Sequence, residues 1–358
     1  MRAIDQFVAG FANGDAISNE AVVMRGIFRS WGFSSEIFCE TKRILPELRK
    51  ESKDIAGYKS LRKSDDIVLL HLSIGSPAND LFASLACRKV ILYHNMTPSR
   101  YFTAVNRRTS YELSKGQEQA RQLAGSAQVN MADSRFNADE LTTLGYKDIK
   151  VLPLILDLDR LRGAPDAKTL AKYNDGKTNV LFVGRCVPNK RIEDSLKVFF
   201  HFQHSVIPDS RFIHVGSFAG TERYHYLLQA RAKELGLNNV CFAGSVPQSS
   251  LNAFYRCSHV FLSMSEHEGF CIPIIESMLH DLPVMAYSAA AVPETLDGAG
   301  VLFSEKRYEL IAELMGRIVA NAQFRSAVIS GQRDRIARYT KRDLASELKQ
   351  HLTPLLAQ

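Results

Sequence analysis

The sequence predicts an α/β protein built from two doubly wound, Rossmann-like parallel-sheet domains. Three observations carry that prediction. Apolar runs of strand length alternate with helical stretches along the whole chain, the pattern of parallel sheets with helices on both faces. A weakly patterned stretch from Leu158 to Lys177, with Gly163, Pro165, Asn174 and Gly176, interrupts the series near its middle and reads as a linker. The 358 residues suffice for two domains with substantial cores. We place an N-terminal domain at 1–160, a second at 161–338, and a terminal helix at 339–358 that crosses back to the first.

In the first half, Ile4–Val8 begins a strand and Ile17–Gly32 is an amphipathic helix stopped by Gly32. Ile67–Ile74 and Val90–His94 are apolar strands, and Arg100–Gly125 is polar and helical. Gln128–Asp133 is a further strand, Asn137–Leu144 a short helix after Ser134, and Val151–Leu156 a last strand broken by Pro153. In the second half, strands are expected at 180–183, 212–215, 240–242, 260–262, 284–287 and 301–303. The helices between them include 192–206, 224–237, 249–257 and 271–280, and the tail from Arg307 is almost wholly helical. Ligands in such folds bind at the carboxyl ends of the strands.

Composition narrows the function. A hydrophobic content of 46% with 23% charged residues is that of a soluble globular protein. No apolar run reaches the roughly eighteen residues needed to span a bilayer, and the N-terminus lacks a signal-peptide core. The six cysteines are scattered with no CxxC pair, so free thiols in a reducing cytoplasm are expected rather than a zinc site. The net charge of +7 is uneven: eight Lys or Arg between Lys42 and Lys63 face only Glu47, Glu51 and Asp54. That stretch offers a peripheral contact to anionic lipid or a phosphate-bearing acceptor, or is a solvated helix face. It lacks the aromatic interleaving of a nucleic-acid surface.

The richest stretch is Ser265–Glu276, where an apolar strand passes through a tight loop into a helix. Such a junction aims backbone N–H groups and a helix dipole at one spot and suits a phosphate. Glu268 on the loop and Glu276 in the helix flank that spot, and carboxylates there suit sugar hydroxyls rather than the phosphate. Arg185 and Lys190 follow another strand, where two cations can share the oxygens of a diphosphate. Gly14, Asp15 and Ala16 follow the first strand, His94 ends VILYH, Asp133 and Ser134 end a third strand, and Val246 follows Gly244. Each has a structural alternative: a turn at Gly14, a structural histidine, an N-cap at Ser134, exposed cations at 185 and 190. No G-x-G-x-x-G follows a strand and no P-loop is present. Asp157-Leu158-Asp159 reads as structural.

Together these segments resemble the family-4 retaining glycosyltransferases of GT-B fold. The resemblance rests on VGRCVPNK (183–190), FAGSVPQSSL (242–251), FLSMSEHEGFCIPIIESM (261–278) with its E-x7-E element, and PVMAYSAAAVPE (283–294). NGDAISN (13–19), YHN (93–95) and ADSRFNADEL (132–141) extend it more loosely over nearly the whole chain. It implies two domains facing across a cleft. It implies a nucleotide-sugar donor, with Arg185 and Lys190 on the diphosphate, Glu276 on the ribose and Glu268 on the sugar. The amides of Gly269, Phe270, Cys271 and Ile272 would hold phosphate and sugar oxygens, and those of Gly14, Asp15 and Ala16 the distal phosphate. Val246 would meet the base and His94 the reacting centre. No cofactor and no obligatory metal are implied. Two departures stand out: Cys271 replaces a frequent glycine, and only Gly14 remains of a frequent glycine pair.

The reaction implied is transfer of a hexose, with retention, from a GDP- or UDP-sugar to a hydroxyl of a glycan or lipid-linked acceptor in cell-envelope polysaccharide synthesis. An epimerase or hydrolase acting on the donor alone would instead give product without acceptor, and a non-catalytic nucleotide-sugar-binding subunit would give none.

Overall fold

The computed structural model describes residues 2–60 and 65–356. They form two compact units. The first contains the chain up to Arg100, Arg108–Asp157 and the tail from Asp343; the second contains Tyr101–Arg107 and Leu158–Arg342.

The first unit runs β1 (Ile4–Phe7), α1 (Ala16–Ser30), β2 (Ile37–Cys39), β3 (Lys53–Asp54), β4 (Ile67–Leu72), α2 (Pro77–Ser84), β5 (Arg88–Tyr93), α3 (Arg107–Gln122), β6 (Val129–Ala132), α4 (Arg135–Thr143) and β7 (Ile149–Val151). Its sheet has the order β3-β2-β1-β4-β5-β6-β7, and every pairing is parallel. All six residues of β4 are buried, as a central parallel strand covered on both faces requires. One face packs Phe7 and Phe38 edge-on against Tyr58, each at 4.8 Å between centroids; the other buries Val8, Phe11, Ala21 and Ile37. Ser76 caps α2 and Ser134 caps α4 through their side-chain oxygens.

The second unit begins with α5 (Leu158–Arg162) and α6 (Ala167–Tyr173), then β8 (Thr178–Val183), α7 (Ile192–His201), β9 (Ser210–Val215), α8 (Glu222–Glu234), β10 (Val240–Gly244), α9 (Gln248–Cys257), β11 (Val260–Ser263), α10 (Ile272–Leu279), β12 (Val284–Tyr287), α11 (Val292–Leu296), β13 (Val301–Phe303), α12 (Tyr308–Ala320) and α13 (Ala322–Lys341). The order β10-β9-β8-β11-β12-β13 is again all parallel. Chain direction therefore switches between β8 and β11 here, and between β1 and β4 in the first unit. Those are the places where open α/β sheets bind ligands.

Several local expectations are corrected. The 158–177 linker is two short helices, the second capped by Asp166, which accepts from the Thr169 amide at 2.7 Å. The strand expected over 151–156 ends at Val151, because Pro153 has no amide to donate. The helix expected over 192–206 is α-helical to His201 and closes in a π-turn over Phe202–Val206.

The last helix, α14 (Leu344–Leu356), docks on the first unit. It buries Leu348, Leu352 and Leu355, while Arg2 and Arg88 donate to the Leu355 carbonyl at 2.8 and 2.7 Å. Such bonds satisfy carbonyls that a helix C-terminus otherwise leaves open. Residues 357–358 of the expected terminal helix lie outside the described residues. Among the described residues no helix is long and apolar enough to cross a membrane. In the basic stretch, Lys42 pairs with Glu40 at 2.9 Å, Arg43 with Glu112 at 2.9 Å and Lys53 with Glu36 at 3.5 Å. Arg62, Lys63 and the side chain of Lys59 lie outside the described residues.

Candidate active site

In the second unit the loops leaving β8 and β11 carry most of the sequence-predicted residues, and the fold latches them together. Asn189, buried between them, donates to the His267 carbonyl at 3.0 Å and accepts the Glu266 amide at 2.9 Å. Lys190 then reaches Glu268 at 2.5 Å. The cation and the acid, 78 residues apart in sequence, form one partly buried charge-assisted pair. Arg185 on the same β8 loop is exposed. Among the described residues its side chain is in no hydrogen bond or ion pair, so its charge is uncommitted.

The β8 exit is held by close backbone approach. A β-carbon on Gly216 would stand 1.9 Å from the Gly184 carbonyl oxygen, and the Gly184 amide donates to Val215 at 2.9 Å. Gly216→Ala must therefore push the Gly184–Lys190 loop away from β9. We expect a loss of about 3 kcal/mol, read by thermal melting. An unchanged melting point would show that the loop is not pinned there.

The loop before α10 is pinned from the far side too. The Ala291 amide donates to the Glu268 carbonyl at 3.2 Å, and the Thr295 hydroxyl donates to the Phe270 carbonyl. Cys271 caps α10 in the left-handed region, with φ of 69°. A glycine adopts that conformation freely, whereas a side chain there costs roughly 1–2 kcal/mol. Burial, with the Glu268 carboxylate beside it, holds the thiol well above its usual pKa, so it stays protonated and weakly nucleophilic. Phe270 is buried, and the loop reaches α10 through Gly269 with Pro273 in the first turn. Ile272 is the first helical residue. Glu276 lies inside α10 and is buried; Tyr255 donates to its Oε2 at 2.6 Å. Burial raises its pKa, opposed by the Tyr255 hydroxyl and the charge of Arg160. Val246 is half-buried just beyond β10.

Behind the β8 loop sits an ion network that sequence reading did not find. Asp194, fully buried in the first turn of α7, accepts from Lys306 at 2.9 Å, Lys197 at 3.0 Å, Tyr308 at 2.9 Å and Arg191 at 3.2 Å. Burial opposes its ionisation, but Lys306 and Lys197 prevail and hold its pKa at about 2. Lys306 and Arg191 also reach Glu266, at 2.6 and 3.3 Å. The network braces the loop that carries Glu268.

In the first unit, Gly14 has φ of +71°, with nothing within 4 Å of a notional β-carbon, so its glycine is required by backbone conformation. Asp15 caps α1 by accepting from the Ser18 amide at 2.8 Å, which leaves Ala16 as the first helical residue. His94, one residue beyond β5, has an imidazole only 2% exposed. Its Nε2 lies 2.8 Å from His71 Nδ1 and 3.6 Å from Glu20 Oε2, and its Nδ1 lies 3.5 Å from Asp133 Oδ2. Burial opposes the charge on His94, but Asp133, Glu20 and Asp15 outweigh it and raise the pKa. Burial also lifts Glu20 to about 7 and drives His71 well below the ordinary value.

Glu20, His71 and His94 are the only His, Cys or acid side chains among the described residues clustered closely enough to suggest an ion, with ligand atoms within 4.8 Å of one another. Two imidazole nitrogens on one zinc, at bonds of 2.0–2.1 Å in tetrahedral array, stand ~3.4 Å apart. The observed 2.8 Å is a hydrogen-bond distance instead.

The family profile described as "Glycosyl transferases group 1" matches residues 167–351. An uncharacterized 41.2 kDa protein in the cps region of Klebsiella pneumoniae is 27% identical over 179 residues, covering 47% of this chain and 44% of that one. O-antigen chain mannosyltransferase B of Escherichia coli is 33% identical over 61 residues, 17% of this chain and 16% of that one. The matches thus span less than half the length of these curated relatives. Among solved structures, HepE from Anabaena in complex with UDP-glucose superposes with a TM-score of 0.75 at 16% identity, covering 100% of both chains; the two share the GT-B fold. On the profile match over more than half its length, the chain belongs to the group 1 glycosyl transferases.

Proposed function

We propose that the chain is a family-4 retaining glycosyltransferase, identified by its E-x7-E element, that moves a hexose from a nucleotide-diphosphate sugar to a hydroxyl of a glycan or lipid-linked acceptor. The observation that carries this reading is the Lys190–Glu268 pair at the switch point of the second sheet, with the uncommitted Arg185 on the same loop. Two cations against one acid leave a net positive charge, which a diphosphate completes. The N-terminus of α10 adds dipole and amide donors from Gly269 to Ile272. Glu276 offers its remaining carboxylate oxygen to ribose hydroxyls, Glu268 takes the sugar, and Val246 meets the base through its backbone. In the first unit, the amides of Gly14–Ala16 offer donors to a phosphate, and His94 serves the reacting centre.

The chemistry follows from these charges. Negative charge grows on the departing diphosphate, and Arg185 and Lys190 stabilise it as it forms. The departing phosphate oxygen takes the acceptor's proton on the same face, so the anomeric configuration is retained without a protein nucleophile or an obligatory metal. The UDP-glucose in the HepE structure and the mannosyltransferase name of the E. coli relative support a nucleotide-hexose donor. The O-antigen relative favours cell-envelope polysaccharide synthesis at the inner membrane face, where the basic stretch after Lys42 would lie.

Thermal-shift screening of nucleoside diphosphates and their sugars tests the donor. At a concentration about 100 times the dissociation constant, the correct nucleotide should stabilise the protein by ~2.7 kcal/mol, a rise of roughly 5–10 °C. Failure of every nucleoside diphosphate and nucleotide sugar to raise the melting point would defeat the assignment.

A further inference from the structure

The histidine pair in the first unit carries an inference of its own. Gln6 on β1 donates through Nε2 to the Ala21 carbonyl at 2.9 Å, which fixes Oε1 as the atom facing His71. Because Oε1 only accepts, the His71 nitrogen 3.0 Å away, Nε2, carries a hydrogen. His71 Nδ1, in a neutral ring, is then a bare lone pair. At the other end a carboxylate oxygen of Asp133 lies 3.5 Å from His94 Nδ1, longer than a hydrogen bond but at ion-pair distance, and its negative charge favours a hydrogen there too. His94 Nε2, in a neutral ring, is likewise a lone pair.

These two nitrogens are 2.8 Å apart. The rings lie within 13° of parallel with centroids 5.0 Å apart, so they meet edge to edge rather than face to face. Two lone pairs aimed at each other across that distance repel, and both rings are buried beyond the reach of bulk water. Glu20 cannot relieve the clash by donating: its Oε2 is 3.6 Å from His94 Nε2, and its Oε1 already accepts the Ile155 amide at 2.9 Å.

We infer that the His71–His94 pair holds one additional proton between Nδ1 and Nε2, as an imidazole–imidazolium dimer, and that Gln6, Glu20 and Asp133 are the residues that keep it there. Gln6 sets the tautomer of His71. Glu20 and Asp133 supply the negative charge that a buried cation requires, and Asp15, at the head of α1, adds to it. The result is a buried imidazolium at the switch point of the first sheet, neutralised by the carboxylates around it. On the proposed function it lies beneath the loop whose Gly14–Ala16 amides take a phosphate. Gln6, Glu20 and His71 are thus positioning residues acting through His94.

The test needs neither donor nor acceptor, so its outcome is separable from that of the transfer reaction. In the full chain labelled with ¹⁵N-histidine, imidazole NMR should show both outer nitrogens protonated and one shared proton. The pair should stay charged well above about pH 6.5, where an ordinary histidine is half-titrated. Gln6→Met leaves both rings in place but removes the acceptor facing His71 Nε2, which frees His71 to move its hydrogen to Nδ1 and donate to His94 without extra charge. It should lower the pair's titration by about one pH unit or more. Glu20→Gln, which removes the nearby negative charge, should shift it in the same direction and serves if Gln6→Met does not fold. Two neutral rings at pH 7 in the wild type would overturn the inference. So would a divalent ion found between the nitrogens, or an unmoved titration in the folded variants.

Discussion

Replacing Lys190 by alanine is expected to lower turnover by about 10²–10³-fold, with Arg185→Ala costing about 10²-fold or more. The reason is electrostatic. On the proposed transfer, breaking the bond to the diphosphate leaves growing negative charge in a partly buried site, where a fixed cation acts more strongly than in water. Lys190 is expected to matter more because it also neutralises Glu268, which is largely buried and would otherwise face the ligand as an unpaired acid. The donor-binding constant should weaken less than turnover falls, since the charge grows in the transition state. Donor consumption under saturating conditions measures this directly. Near-wild-type turnover in both single variants would remove the cations from the mechanism.

Asp194→Asn should be the most damaging substitution outside the ligand contacts. It leaves Lys306, Lys197 and Arg191 crowded around a neutral amide in a buried position. Breaking such a pair from one side costs about 3 kcal/mol or more, a fall in melting temperature of roughly 6–12 °C for a unit of this size. The same group predicts an acid limb. Its pKa is depressed to about 2 in the folded chain, against ~3.9 when unfolded. Its contribution is therefore complete above about pH 4 and is lost as pH falls from there towards 2. Thermal melts between pH 6 and 2 should show part of that limb missing in Asp194→Asn. Parallel curves for wild type and variant would place the acid sensitivity elsewhere.

The alternation of strand and helix was legible because each central strand is a continuous buried run, such as Ile67–Leu72 or Val260–Ser263. Strands β2 and β3 are not read from the sequence; two exposed residues in β3 show no period at all. The helices of the supposed linker hid behind Gly163, Pro165 and Gly176, which bound them rather than break them. In the candidate site, Arg185, Lys190 and Glu268 stand out by their places after strands, and Glu276 by its place in the helix that follows. Their partners do not: Tyr255 lies 21 residues from Glu276, and Asp194 lies 112 from Lys306. Cys271 was visible as an oddity where resemblance suggests glycine, and its left-handed backbone gives the reason glycine fits there. His94 was noticed, but its enclosure by Glu20, His71 and Asp133 depends on four separate segments. The one visible hint was His71 itself, a polar residue inside the apolar run IVLLHL.

The central claim is that fixed cations of the second unit grip the diphosphate of a nucleotide. Titrating the full chain with UDP against UMP, and with GDP against GMP, probes it without needing the acceptor. For the matching base, the diphosphate should bind about 10–100-fold more tightly than the monophosphate, and an Arg185→Ala/Lys190→Ala double variant should erase that preference. Equal affinity for mono- and diphosphate in the wild type, or a preference that survives in the double variant, would contradict the account.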